Sequence, residues 1–386
     1  MLRQQRESGA VSLFLVVFAM LLITIVTLGF LRIMLSDQQQ ASMSDLSQSA
    51  YDSSLAGVED AKRALIYYQT ICSQGDQAAC DAQKAIINSA NCNEGLSNVV
   101  AVTPNKEVQV QQSQSANDSD LNQAYTCVKM NLETVDFLGT IQANTSKLIP
   151  LRASGAFDSV TVEWYTATDL GTPSTALNLI ANSATSKPLY LQTNWPMNRP
   201  SLMRTELMQF GSSFTLDSFD KAASNVTNSN ANTLFLYPTG TNATGPIVDT
   251  AAFGSDVRQT SYGAPRPVRC VSNLNAGGYA CTVTISLPQA VGQSDSNRTA
   301  YLRLTPLYNA THFRVSLGNN VRFDGVQPSI DSTGRANDQY RRVESRVDLI
   351  DTSFPFPEAA VDVTGNICKD FTVTDSASDF VNSCTP

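Results

Sequence analysis

The sequence predicts an α+β chain: a long N-terminal membrane-spanning helix carrying a disulfide-stabilised, mainly antiparallel β head of sandwich-like form. Three observations predict it. An uncharged apolar run extends from Ala10 to Leu31, eight cysteines all follow that run, and after Tyr125 the pattern changes to short segments of alternating polarity.

The apolar run comes first. At 1.5 Å per residue it spans roughly 33 Å, enough to cross a bilayer core. A secretory signal peptide has a shorter apolar stretch followed by small residues at a cut site, and no such site follows here. Arg3 and Arg6 precede the span and favour a cytoplasmic N-terminus, with everything after Leu35 outside. Val11 to Tyr68 holds no proline and two glycines, Gly29 and Gly57. Beyond the apolar run, Met43, Leu46, Ala50, Val58, Ala61, Leu65 and Tyr68 recur at steps of three and four, the mark of a helix with one narrow apolar stripe. Such a stripe needs a partner, either the chain's own head or neighbouring subunits. Gly57 permits close packing or a slight bend there, at a cost near ~1 kcal/mol against alanine.

The cysteines lie at 72, 80, 92, 127, 270, 281, 368 and 384. An even number dispersed through a polar region reads as disulfides made in an oxidising compartment. Cys72 and Cys80 are too far apart for a zinc knuckle, and His312 is the sole histidine, so no metal or cofactor is expected. Cys270 and Cys281 flank Asn275-Ala276-Gly277-Gly278, a turn signal, and should face each other across a hairpin. Cys368 and Cys384 enclose a short C-terminal loop whose closure is worth about 3 kcal/mol in the entropic model. Cys72, Cys80, Cys92 and Cys127 allow three pairings, of which Cys72–Cys80 with Cys92–Cys127 is favoured.

Between helix and head, residues 71–124 read as a helical or looped excursion, then a weak strand at Val108–Val110 and a polar loop. The head itself shows period-two runs at Val160–Tyr165, Leu189–Gln192, Leu202–Phe210, Thr233–Tyr237, Tyr279–Leu287, Tyr301–Leu304, Phe313–Leu317 and Val343–Leu349. Short strands divided by Asn, Gly, Pro and Ser clusters are the signature of a sandwich or barrel-like head. Ala222–Asn232 is expected to be an exposed loop.

Catalytic constellations are sparse, and no enzyme is expected. His312 sits in a strand-like alternation and is read as solvent-facing or at an edge; no GxSxG elbow, Walker or GxGxxG loop accompanies it. Asp217 with Asp220, and Asp331 with Asp338, offer oxygen ligands for calcium without an EF-hand spacing, so solvated loop charge is the simpler reading. Trp164, Tyr165, Tyr190 and Trp195 form either core or a sugar platform, core being the simpler. Sequons begin at Asn117, Asn144, Asn225, Asn242, Asn297 and Asn309, as a composition rich in Asn, Ser and Thr produces. The net charge of −8 leaves no basic stripe to neutralise phosphates, which argues against a nucleic-acid partner.

The N-terminal segment resembles the type IV prepilins, and among them the minor pilins of the PilX kind. A short basic leader ends in Gly9, Ala10-Val11-Ser12-Leu13-Phe14-Leu15-Val16 follows, and Ser49 to Ala61 is similar to the Ala-rich, Gly-containing tract of their extended helix. The resemblance covers roughly residues 1 to 68. It implies a leader peptide at 1–9 removed by a prepilin peptidase between Gly9 and Ala10, with methylation of Ala10. It further implies a transmembrane and filament-core helix at 10–35, an extracytoplasmic extension at 36–70 and a β-rich head at 125–386. The implied place is the cytoplasmic membrane, single-pass with the N-terminus inside, then a surface filament. The implied partners are other pilin subunits, the inner-membrane pilus assembly machinery, membrane lipid before assembly, and a cell-surface or glycan receptor through adhesion. The Cys368–Cys384 loop is similar to the C-terminal disulfide loop of many pilins.

Two departures from the family are informative. The leader reads Glu7-Ser8-Gly9 where the usual one has Lys or Arg before the glycine. Phe14 stands where major pilins carry the glutamate that pairs with a neighbour's terminal amine. A lone carboxylate in lipid is costly, and the subunits that dispense with it sit at filament tips, so Phe14 points to a minor, tip-associated subunit.

Overall fold

The computed structural model describes residues 8–110, 122–171, 176–180, 191–209, 233–240, 250–252, 266–274, 278–292 and 300–349. Helix α1 (Ser8–Ser73) is one element of 66 residues, roughly 99 Å long at 1.5 Å per residue. Its polar half is reinforced by pairs one turn apart: Gln48 donates to Asp52 at 3.0 Å, and Lys62 meets Glu59 at 2.6 Å. A second helix, α2 (Gln77–Ile87), begins where the Asp76 carboxylate caps the N–H of Ala79 at 3.1 Å.

Among the described residues fourteen strands follow, β1 (Val108–Gln109), β2 (Gln123–Thr134), β3 (Asp136–Ile141), β4 (Lys147–Pro150), β5 (Phe157–Thr166), β6 (Leu202–Gln209), β7 (Thr233–Gly240), β8 (Thr250–Ala252), β9 (Arg266–Cys270), β10 (Tyr279–Val291), β11 (Ala300–Leu307), β12 (Thr311–Leu317), β13 (Phe323–Ala336) and β14 (Gln339–Arg346). They make two sheets. The smaller has the order β1-β2-β13-β14 and is antiparallel throughout. The larger has the order β3-β12-β5-β10-β9-β7-β6-β11-β4, with β8 alongside β10. Among its described strands, the β7/β9 and β8/β10 pairs are parallel and the others antiparallel.

The larger sheet is a nearly closed, barrel-like surface rather than the expected sandwich. Its two end strands, β3 and β4, are consecutive in the chain and joined only by residues 142–146. The Asn144 N–H in that link donates to Pro306 O of β11 at 2.8 Å. Period-two alternation marks which face of a strand is buried, not which strand lies beside it, so both closures carry the same pattern. The interior is packed with Phe137, Phe157, Trp164, Leu207, Leu236, Val283, Leu302, Phe313 and Phe323. Phe137 lies between Phe313 and Phe323, at ring separations of 6.0 and 6.3 Å.

The alternating runs coincide with β5, β6, β7, β10, β11 and β12, and the weak Val108–Val110 strand with β1. No run marked β2, β3, β4, β8, β9 or β13. Leu191–Gln192 belong to a loop and a short 3-10 turn at Gln192–Asn194, and the last run is offset from its strand, Gln339–Arg346. Residues 189–190, the Ala222–Asn232 segment and Cys368–Cys384 lie outside the described residues. Disulfides join Cys72 to Cys80, Cys92 to Cys127 and Cys270 to Cys281. The first ties α1 to α2, the second pins the segment after α2 to β2, and the third fastens β9 to β10.

The two sheets share strands end to end. Val135 alone separates β2 of the small sheet from β3 of the barrel. β13 starts with Phe323 in the barrel core and reaches Ile330 in the core beneath α1. The Gln327 amide locks the crossing: it accepts from Leu138 N at 2.9 Å and donates to Leu138 O at 2.7 Å and to Asp348 at 2.7 Å. Lys84–Asp324, Arg346–Asp136 and Lys147–Asp348 ion pairs surround it.

Candidate functional site

Helix α1 changes character along its length. From Leu13 to Ser44 every residue is exposed, with Phe14 at 75% and Phe30 at 71%. It is the one described helix long and apolar enough to cross a membrane. Exposed leucine, isoleucine and phenylalanine over such a length are unfavourable in water and favourable in hydrocarbon. Gly9 and Ala10 fall in its first turn.

From Ala50 onward the same helix is sunk into the small sheet. Ala50, Ser53, Ser54, Gly57, Val58, Ala61, Ala64 and Leu65 form the buried face, against Tyr125, Val128 and Ile330 of the sheet. Met43, expected on that stripe, is 58% exposed, and Leu46 is half-buried. The seam is made of small side chains because the backbones touch. A β-carbon added at Gly57 would meet Ser332 Oγ at 2.5 Å and Val128 Cγ2 at 2.8 Å. One added at Gly334 of β13 would meet Ala50 O at 2.1 Å and Ser54 N at 2.3 Å. Polar bonds cross the seam. Ser332 donates to Ser54 O at 2.7 Å, and the Tyr125 hydroxyl donates to Asp60 at 2.9 Å. Burial first, then that bond, pushes the Tyr125 phenol well above the ordinary tyrosine range.

The barrel projects away from this seam. β3 begins at Asp136 beside the small sheet and ends at Ile141, opposite Thr311, where β12 begins. The segments 167–171, 191–201 and 307–310 therefore gather at the distal end. There Trp195 stacks on Tyr308 at 4.2 Å, Arg199 lies 5.0 Å over the same indole, and Tyr237 meets it edge-on at 6.1 Å. Leu191 and Met197 are exposed by 73% and 68% beside this cluster. Tyr165 and Tyr308 hold φ of +69° and +83°, uncommon for bulky residues. The Tyr165 hydroxyl donates to Met197 O, which helps fix the distal segment.

The other candidates resolve residue by residue. His312 is not at an edge: β12 lies between β3 and β5. Its ring is partly exposed and holds Asp169 through Nδ1 at 2.6 Å. Asp169 also accepts from Thr166 N at 2.7 Å and from His312 N at 3.1 Å, so the pair closes a turn rather than faces a nucleophile. Asp331 is clamped by Arg342, and Asp338 lies in the β13–β14 turn. No cluster of three or more metal-ligating side chains occurs among the described residues. Trp164, Tyr165 and Trp195 are all buried, so they are core rather than a sugar platform; Tyr190 lies outside the described residues. Asn144 is exposed in the β3–β4 link, whereas the Asn309 amide donates to Pro196 O and Arg199 O. Asp217, Asp220 and the sequons at Asn117, Asn225, Asn242 and Asn297 lie outside the described residues.

Sequence reasoning named Trp195 but missed its partners Tyr308, Tyr237 and Arg199, and missed a polar trough of about 410 Å³ on the small sheet, lined by Asn88, Lys129, Asn131, Asp331, Arg342 and Glu344. Neither leaves a local pattern, since the residues come from separate segments. The chain matches no known family model, no curated protein and no solved structure.

Proposed function

We propose that the chain is a minor, tip-associated subunit of a type IV pilus or pilus-like filament, cleaved after Gly9 and displaying the β-rich head for adhesion. One observation carries the reading: a single helix is bare and apolar over Leu13–Leu35 and embedded in its own head from Ala50 onward. A rod of that kind is suited first to lipid and then to the apolar core of a filament, and either environment covers the same surface. The missing carboxylate at Phe14 removes a docking handle for a subunit above, which suits a tip position. At the distal end of the head, Leu191 and Met197 are exposed over a largely buried aromatic cluster, and a receptor would be met there.

Intact-mass and N-terminal analysis of membrane and sheared-surface fractions from the native host tests the proposal. A mature chain beginning at methylated Ala10 in the sheared fraction is expected. An unprocessed chain confined to membranes sinks the filament reading in favour of a single-pass anchored adhesin or glycan-binding module.

A further inference from the structure

We infer that Cys270–Cys281 is installed on the unfolded chain by a disulfide-donating oxidant before the barrel closes, whereas Cys72–Cys80 and Cys92–Cys127 stay within reach of exchange in the folded protein. Burial separates the two classes. Cys270 and Cys281 are both 0% exposed and belong to the barrel core. Cys72, Cys80, Cys92 and Cys127 are all half-buried at the protein surface. Exchange requires a thiolate to reach a disulfide sulfur directly, so a core bridge is out of reach of a protein-sized donor once its surroundings are packed.

The strand pairing adds a second, independent reason. Neighbouring strands in the barrel are held by ladders of several residue pairs, such as Phe313–Leu317 of β12 against β5. Between β9 and β10 the register among the described residues contains one pair, Cys281 with Cys270. Beyond it, the Val271 N–H donates to Ala280 O at 2.9 Å. The bridge is therefore the covalent part of the line where the β7–β9 pair meets β10 and β5, beside the core packing of Val268, Ala280 and Val283.

Chain order makes early installation straightforward. Every described bridge joins cysteines that are consecutive in the sequence: 72 with 80, 92 with 127, and 270 with 281. A chain emerging from its N-terminus meets the native partner as the next thiol, so a donor suffices and a disulfide isomerase is not required. One cysteine thiolate attacks the donor disulfide and expels one donor sulfur as thiolate. The second cysteine thiolate then attacks the mixed disulfide and releases the donor as a dithiol. Two electrons pass from the cysteines to the donor, and the two thiol protons end on the donor sulfurs. The inference does not depend on the filament reading.

The test uses the full-length chain in detergent at neutral pH. Brief treatment with a water-soluble phosphine, alkylation and peptide mass mapping should label Cys72, Cys80, Cys92 and Cys127 first. Cys270 and Cys281 should label at least about a hundredfold more slowly, because they wait for an opening of the barrel. Equal labelling rates with a native near-ultraviolet signal would overturn the assignment. The reduced, denatured chain is then refolded with oxidised glutathione. A Cys270–Cys281 bridge that forms ahead of or together with the native near-ultraviolet signal supports the inference, and a native signal that precedes the bridge overturns it.

Discussion

Gly57 and Ser332 are packed so closely that a methyl group on the glycine would lie 2.5 Å from the serine hydroxyl oxygen. The same hydroxyl reaches past the glycine to donate to Ser54 O, one turn earlier on the helix. Helix and sheet therefore meet at backbone distance, and the seam holds the head at a defined angle to the rod. Gly57→Ala is expected to cost about 1–3 kcal/mol through overpacking. Gly334→Ala should cost more, because the obstructing atoms are helix backbone (Ala50 O and Ser54 N) that no rotamer change can move. Thermal unfolding of the full chain in detergent measures both; an unchanged melting temperature for Gly334→Ala would contradict this geometry.

The crossing between small sheet and barrel should be sensitive at Gln327. Gln327 is 3% exposed, and its side chain satisfies both backbone groups of Leu138. Gln327→Leu keeps the volume and leaves that N–H and C=O without partners, a loss of about 2–4 kcal/mol. Hydrogen exchange at Leu138 and the melting temperature report it. No change in either would show that water replaces the amide.

At the distal end, Asp169→Ala removes the acceptor shared by Thr166 and His312. The carboxylate is almost fully enclosed, so about 1–3 kcal/mol should be lost. Faster exchange should be confined to residues 166–171 and 312. His312→Ala leaves the Thr166 bonds in place and should do less. The opposite ranking would mean that the imidazole, not the carboxylate, organises the turn.

Alkaline pH should destabilise the head. Burial holds the phenols of Tyr68, Tyr125, Tyr165 and Tyr279 above their ordinary value. Above about pH 10 the unfolded chain loses tyrosine protons that the folded chain keeps, so stability present below that pH falls as pH rises toward the folded values. Melting temperatures followed from pH 8 to 11.5, with tyrosinate absorbance, should show the decline. Tyr165→Phe, which also loses the bond to Met197 O, should melt lower at pH 7 yet fall less steeply. A flat profile in the wild-type chain would refute the shift.

In the apolar stretch of α1, Phe14→Glu places one carboxylate in an otherwise uncharged run. Insertion should weaken by about 2.5–3.5 kcal/mol for a central position, less near the end where residue 14 lies. In cells with an assembled filament, incorporation should change as well. Equal membrane recovery and equal incorporation would show that neither environment surrounds this position.

The helix was legible because its cues are local. An apolar run, the lack of proline and a three-and-four spacing require no knowledge of the rest of the chain, and α1 extends just beyond the expected span. The same holds for the strands that carry an alternating run and for Cys270 with Cys281, since a short turn constrains its own ends. The role of Gly57 was only half legible: a glycine in a helix permits close approach, but nothing near it in sequence says that Ser332 is what approaches.

By itself, then, the sequence determined an apolar helix of membrane-spanning length continuing into a polar one with a narrow apolar stripe, a β-rich head and the Cys270–Cys281 bridge. Only the tertiary structure decided that β2 pairs with β13, almost two hundred residues later, to make the sheet under the helix. It also decided that the strands between them curl into a nearly closed barrel rather than a sandwich. The physical reason is one of range. Side-chain periodicity specifies what each strand buries, whereas strand order is settled by the summed fit of distant surfaces, a quantity no short window of residues contains.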